Sequence, residues 1–200
     1  RETSLNNIPM VIARTGWSGE LSYELYLQNR KLGDELFETV YEAAKEFNGR
    51  VISPNTIRTI EGGLLSYHSD FGREHNPYTI GLDRLVDLNQ DIDFIGKEAL
   101  KKIKKDGVTE KLVGVEIDGD PIQKVPENFW PVFDVNNNKL GRLSRCFFSP
   151  RLKRNIGLAI IKVDSAVPGT PLIIESPKAH LNAQVHELPW FPAEKSTNLD

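Results

Sequence analysis

The sequence predicts an α+β region followed by an all-β unit, and three observations carry that division. Helical spacing of apolar residues is confined to the first half of the 200 residues. Beyond Gly107 the chain breaks into short apolar runs punctuated by proline, glycine and asparagine, the pattern of a small barrel or sandwich. Between them lies Lys101-Lys102-Ile103-Lys104-Lys105-Asp106-Gly107, which reads as a solvated helix end and linker. The expected units are therefore residues 1–106 and 107–200.

Residues 8–14 and 21–28 are expected strands, joined by a turn built on Gly16 and Gly19. In the second strand Leu21, Tyr23, Leu25 and Leu27 fall on one face, with Ser22, Glu24, Tyr26 and Gln28 on the other. Residues 31–47 switch to helical spacing, with Leu32, Leu36, Val40 and Ala44 on one stripe and Gly49 ending it. Ser53-Pro54 is expected to open the next helix, serine as N-cap and proline at the first helical position. Its buried face is Ile57, Ile60 and Leu64. The pair Gly62-Gly63, read as lying inside that helix, implies close approach of another backbone or a flat ligand. Residues 72–80 form a polar loop ending in Asn76-Pro77, and a third helix follows Gly96 over 97–104. Six strands follow, at 111–118, 131–135, 140–148, 156–163, 171–175 and 183–188. Asn136-Asn137-Asn138-Lys139 is a hairpin signal.

Composition narrows the function. A formal charge of −3 and 39% hydrophobic residues describe an ordinary globular chain without the basic stripe of a nucleic-acid surface. Apolar runs such as Leu158-Ala159-Ile160-Ile161 are too short for a membrane helix. A single cysteine, Cys146, leaves no internal disulfide and suits a reducing compartment, so a cytoplasmic setting is expected. It sits in an expected strand and reads as a buried, inert thiol. The four histidines lack metal-ligand spacing, no glycine-rich phosphate loop is present, and no metal site is expected. Trp190 reads as a packing lid or a ligand contact. The chain opens at Arg1, and an apolar strand follows almost at once. That strand needs partners, and the expectation is a C-terminal part of a longer protein.

Glu24 raises a sharper question. A carboxylate on an apolar strand is costly to bury unless paired. It forms a salt bridge, lies on a solvated face, or accepts a flat ligand edge with two parallel N–H donors, as a pterin presents. Trp17, across the glycine turn, is placed to stack on or wall off such a ring.

Several collinear blocks bear on that choice. Arg14-Thr15-Gly16-Trp17-Ser18-Gly19-Glu20 through Tyr23-Glu24-Leu25 resembles the R-x-G-Y-T-G-E-x-G-x-E segment of the glycine-cleavage T-protein family. Ile60-Glu61-Gly62-Gly63-Leu64-Leu65-Ser66-Tyr67 with Asp70 is similar to its R-L-E-A-x-x-x-L-Y-G-x-D. Asn76-Pro77 with Gly81-Leu82 is similar to N-P-x-E-x-G-L, and Phe94 to Leu100 to F-x-G-K-E-A-L. Ser149-Pro150 with Asn155 to Ala159 resembles the strand S-P-x-L-x-x-x-I-A-L-A of its terminal barrel. The resemblance spans nearly the whole chain. It implies the family's three-domain ring around a tetrahydrofolate channel, here the C-terminal part of the folate-binding region followed by an antiparallel β-barrel. It carries the pterin-anchoring glutamate onto Glu24, the channel aromatic onto Trp17 and a folate-lining position onto Tyr67. Tyr26, on the face of Glu24, extends the polar wall. Asn55 stands where the family has a folate-contacting arginine.

The departures at Asn55, Thr59, Thr79 and Trp17 make the pattern closer to the tetrahydrofolate-dependent demethylase branch, dimethylsulfoniopropionate demethylase among them. The activity so implied moves a methyl group from a small donor to N5 of tetrahydrofolate. It assigns no catalytic acid or base. The alternatives left open are an aminomethyltransferase, with a lipoyl carrier protein as partner, and the folate-binding end of an amine-oxidising flavoprotein. A folate-binding iron–sulfur assembly factor ranks lower, because its cysteine motif is replaced by Trp17 to Glu20. A homodimer is left open as well.

Overall fold

The computed structural model describes residues 1–53 and 55–191. It begins with a three-stranded antiparallel sheet, β1 (Glu2–Leu5), β2 (Ile8–Ala13) and β3 (Glu24–Leu27), in that order across the sheet. The sequence reading missed β1. Its signal is the dipeptide Asn6-Asn7, whose φ angles of 47° and 63° give the doubly positive turn that joins a tight hairpin. β3 is shorter than the expected 21–28. Residues 14–23 loop out instead, and Leu21 and Tyr23 are exposed where an inward-facing stripe was expected. Leu25 and Leu27 do face inward, against Ile8, Met10 and Leu36.

A 3₁₀ turn, Arg30–Leu32, leads into α1 (Gly33–Lys45), which lays Leu36 on the sheet. Asn48, at φ 58°, takes the left-handed turn after the helix. Next comes α2 (Thr56–Glu61). Its N-cap is Asn55, whose side chain accepts from Ile57 N at 2.9 Å, in place of the expected Ser53. Pro54 lies outside the described residues. Gly62-Gly63 ends this short helix, with Gly63 at φ +62°. The reading of a glycine pair inside a helix is thus corrected, because left-handed backbone stops an α-helix. The anticipated close approach is present: a Cβ on Gly62 would lie 3.7 Å from Gly19 Cα.

Gly96, at φ 93°, starts α3 (Lys97–Asp106) and Gly107 caps it. The exposed end carries ion pairs, Lys101 with Glu98 at 2.7 Å and Lys102 with Asp106. The six strands that follow are β4 (Glu110–Ile117), β5 (Trp130–Phe133), β6 (Lys139–Ser149), β7 (Arg154–Lys162), β8 (Pro171–Glu175) and β9 (His180–His186). They form a closed antiparallel barrel in the order β4-β7-β6-β5-β8-β9, with β9 pairing back to β4. Closure, where a sandwich was the alternative, removes every unpaired edge. Asp134 Oδ1 accepts from Asn136 N and Asn138 N in the expected β5–β6 hairpin.

One irregularity in β6 matters for everything outside the barrel. The register slips between Leu143 and Arg145, leaving Ser144 as an extra residue. Strict alternation would put 143 and 145 on one face. The bulge instead lets Leu143 and Cys146 both enter the barrel core and turns Arg145 outward. On that outer face Ile60 of α2 packs on Ile156 and Leu158 of β7, with Leu188 and Trp190 beside them. β7 is therefore covered on both faces, which is why Asn155 through Ile161 is buried throughout. Among the described residues no helix is long and apolar enough to cross a membrane.

Candidate functional site

The site is built on β3 and on the loop that precedes it. Glu24 is the first residue of β3, opposite Ala13, on the sheet face turned away from α1. Its carboxylate is solvent-exposed. Of the readings open for Glu24, the structure shows the solvated sheet face, with Glu24 exposed on β3 at the edge of its sheet. The carboxylate is nonetheless held. Thr15 Oγ1 and Tyr26 Oη, the latter at 3.1 Å, both donate to Oε2. Thr15 comes from the other side of the glycine loop, so the two ends of that loop are tied through this one oxygen. Two hydroxyl donors restrict the rotamer while leaving the group acceptor-rich.

The structure thus brings Glu24 and Tyr26 together and adds Thr15, which the sequence reading did not name. Trp17 projects from the loop, 56% exposed. Tyr67, 46% exposed, follows α2 and packs against His68 and Phe71, at ring-centroid distances of 4.0 and 5.6 Å. Asn55 spends its side-chain oxygen on capping α2. That differs from the arginine role considered for its position, since a capped amide offers no cation.

Behind the loop is a cluster of four charges. Glu61, at the end of α2, is buried and accepts from Ser149 Oγ at 2.6 Å and Arg58 Nη1 at 3.2 Å; Arg151 Nη1 lies 3.6 Å away. The two arginines reach outward from it to Glu20, at 3.3 Å from Arg58 and 2.9 Å from Arg151. The backbone carbonyl of Glu61 accepts from Trp190 N at 3.0 Å and Phe191 N at 3.4 Å. Arg151 also stacks its guanidinium on Phe191 at 3.8 Å. Trp190 is thereby a packing residue, its ring parallel to His186 at 5.2 Å. A cavity of about 860 Å³ opens beside these glycines, lined among others by Gly19, Gly62, Gly63, Leu64, Arg84 and Lys111.

A buried pair welds this region to the barrel. Arg145 donates from Nε to Asp70 Oδ1 at 2.8 Å and from Nη2 to Oδ2 at 2.6 Å, a bidentate fork. Nη1 reaches Thr59 Oγ1 at 2.9 Å. Ser144 Oγ and Ser66 N also donate to Asp70. The sequence gives Glu20, Glu61 and Asp70 as motif letters, but their partners stand far along the chain. Among the described residues no group of His, Cys, Asp and Glu is arranged to hold a metal. Cys146 is buried, and burial pushes its thiol up to about 12.

Comparison with known proteins bears on this arrangement. Residues 1–90 match the model of the GCVT N-terminal domain, and residues 110–192 that of the glycine cleavage T-protein C-terminal barrel domain. The chain is 29% identical over 192 residues to a dimethylsulfoniopropionate demethylase of Ruegeria pomeroyi, covering 95% of this chain and 51% of the relative. It is 33% identical over 198 residues to an aminomethyltransferase of a Geobacillus strain, covering 97% and 52%. The chain spans about half the length of the curated relatives it matches. The solved glycine cleavage system aminomethyltransferase T of Bartonella henselae shares the fold, with a TM-score of 0.80 at 21% identity over 91% of this chain and 50% of that one.

Proposed function

This chain belongs to the glycine-cleavage T-protein family, and from that premise we propose that the protein containing it is a tetrahydrofolate-dependent one-carbon transferase. The donor we favour is a small methylated sulfonium such as dimethylsulfoniopropionate. The boundary near residue 106, between α3 and β4, belongs to the same proposal: residues 1–106 contribute to the folate wall and 107–200 form the barrel.

The observation that carries the reading is Glu24, a carboxylate fixed by two hydroxyls on an open strand face. Its two acceptor oxygens suit a ligand edge with two parallel N–H donors. Tetrahydrofolate, when bound, would supply the nitrogen that receives the one-carbon unit. Glu24 and Tyr26 would hold its pterin edge, with Trp17 and Tyr67 as aromatic walls. Trp17 would also attract a sulfonium with about 0.5–2 kcal/mol of cation–π energy. Transfer of a methyl from positive sulfur leaves a neutral thioether, so no acid is needed to expel it, and the proton that N5 gives up on methylation passes to solvent. The work left to the chain is positioning and exclusion of water, which fits a site in which we assign no general acid or base.

Aminomethyl transfer is the second reading, favoured by the 33% identity to the Geobacillus aminomethyltransferase. It would require a lipoyl carrier protein to dock. Incubating the protein with tetrahydrofolate and dimethylsulfoniopropionate separates the two. Formation of 5-methyltetrahydrofolate supports the first, and activity only with an aminomethyl-lipoyl carrier supports the second. In either case Glu24→Gln is expected to weaken tetrahydrofolate binding by about 1.5–3 kcal/mol, the range for a hydrogen bond to a charged group. Unchanged affinity by calorimetry removes Glu24 from the site.

A further inference from the structure

The loop from Arg14 to Tyr23 carries Trp17 and leads directly into Glu24, yet it offers little apolar surface to the body of the protein. Trp17, Leu21 and Tyr23 are all exposed. Polar and backbone contacts tie it down instead. Gly19, at φ +74°, lies against Gly62, so that a Cβ there would meet Gly62 Cα at 3.6 Å. Glu20 is then gripped by Arg58 and Arg151. These two arginines come from α2 and from the β6–β7 turn, and both also face the buried Glu61. The arrangement is a relay of alternating charge, Glu61 to the arginine pair to Glu20, that carries the rigidity of the barrel out to the loop. Arg151 is itself fixed by stacking on Phe191.

We propose that Glu20, Arg58 and Arg151 form a clamp that orders the Trp17 loop, with Glu20 as a positioning residue for the ligand-binding face of β3. The acid is suited to this because it is expendable to the core. Without it, Arg58 and Arg151 keep Glu61 as partner, and Glu61 keeps Ser149. The fold therefore survives while the loop is released. An exposed ion pair alone contributes little, but here two guanidiniums pre-held by a buried carboxylate converge on one acceptor, so less side-chain entropy is lost in closing the contact. Arg58, Arg151 and Glu20 are 36%, 40% and 49% exposed, so salt should loosen the clamp.

The test reads loop order directly and then its consequence. In the full protein labelled with ¹⁵N, the Trp17 indole N–H is assigned by its loss in Trp17→Phe. Its heteronuclear NOE is then compared in wild type, Glu20→Gln and Arg151→Gln. Both variants should lower that NOE and leave the indole signals of Trp130 and Trp190 unchanged. Wild type in about 1 M salt, where screening extends over ~3 Å, should move the same way. An NOE in both variants equal to wild type overturns the clamp. The second readout rests on the folate reading proposed above. Glu20→Gln should raise the tetrahydrofolate Kd about two- to ten-fold, the consequence of ordering one or two side chains on binding. If wild type binds no folate while the variant NOE falls, the clamp stands and the folate assignment fails.

Discussion

The barrel and the N-terminal sheet layer solve the same packing problem to different depths. Among the described residues the barrel core holds thirteen buried residues in one contiguous cluster, from Val113 to Val185. The layer of β1–β3 and α1 buries Ile8, Met10 and Leu36. Of the seventeen large apolar side chains that are exposed among the described residues, fourteen precede Gly107 and three lie in the connections between barrel strands. A contiguous core closed on itself resists local opening, whereas a thin layer with apolar groups in water opens at lower free energy. The candidate ligand residues Glu24 and Tyr26 sit on the thin layer and Trp17 on the loop leading into it, while Tyr67 follows α2 beside the barrel. The protein thus separates a region that supplies rigidity from one that presents a surface. The Asp70–Arg145 pair and the Glu61 cluster are the polar joints between them.

The severest way to break the comparison is to cut the joint. Asp70→Ala leaves the Arg145 guanidinium buried without its carboxylate and Ser66 N without its acceptor, while Ser144 keeps the Leu158 carbonyl. Removing one partner of such a pair is expected to cost about 3–5 kcal/mol. Urea unfolding followed by both fluorescence and circular dichroism should show a lowered midpoint and transitions that no longer coincide, the N-terminal layer going first. Coincident transitions at the wild-type midpoint would show that the pair is not what couples the two regions.

A smaller effect sharpens the contrast within each core. Leu143 is wholly buried in the barrel and Leu36 nearly so beneath the sheet. Leu143→Ala should cost about 2–5 kcal/mol, because the interlocked barrel cannot collapse around the cavity. Leu36→Ala should fall at or below the lower end of that range, since α1 can settle onto a sheet that is open on its other face. Hydrogen exchange should agree, with β6 and β7 amides exchanging only through global unfolding and β3 amides through local opening.

What could be read in advance follows the same divide. All six barrel strands and their order along the chain were legible, since alternation and turn residues are local signals that closure then satisfies. So were α3 behind Gly96 and the special backbone at Gly16 to Gly19. The misses are non-local or cooperative. The bulge at Ser144 leaves no mark in an alternating pattern, yet it alone sends Arg145 outward to Asp70. The Glu20–Arg151 and Asp70–Arg145 contacts join residues 131 and 75 positions apart, and no spacing rule connects such pairs. β1 was passed over because Glu2 to Leu5 is polar and exposed, paired through its backbone alone. At the candidate site the residue types at Glu24 and Tyr26 were legible, and their shared hydrogen bonding was not. Alternation separates the Glu24 face from the Leu25 face, but that the Glu24 face is the exposed one depends on what packs against the sheet.

The mildest expected effect concerns the one thiol in the barrel core, and its sign can be worked out. Cys146 lies fully buried, and desolvation raises its ionisation from 9.0 to about 12. In the unfolded chain the thiol ionises near its ordinary value, while in the native barrel it stays protonated. Below about pH 9 both states carry the neutral thiol, and its packing contributes in full. As pH rises from there toward 12 the unfolded state is favoured by ionisation, with a slope of at most about 1.4 kcal/mol per pH unit. Tyrosines and lysines titrate over the same range, so the informative quantity is a difference from Cys146→Ala, which keeps every other group. Between pH 8 and pH 10 wild type should lose about 1.4 kcal/mol more unfolding free energy than the variant, and the native thiol should react with a maleimide only on unfolding. Parallel pH slopes, together with rapid native labelling, would mean that the β6 strand opens without the rest of the barrel, and that the rigidity assigned to this region is not uniform around its wall.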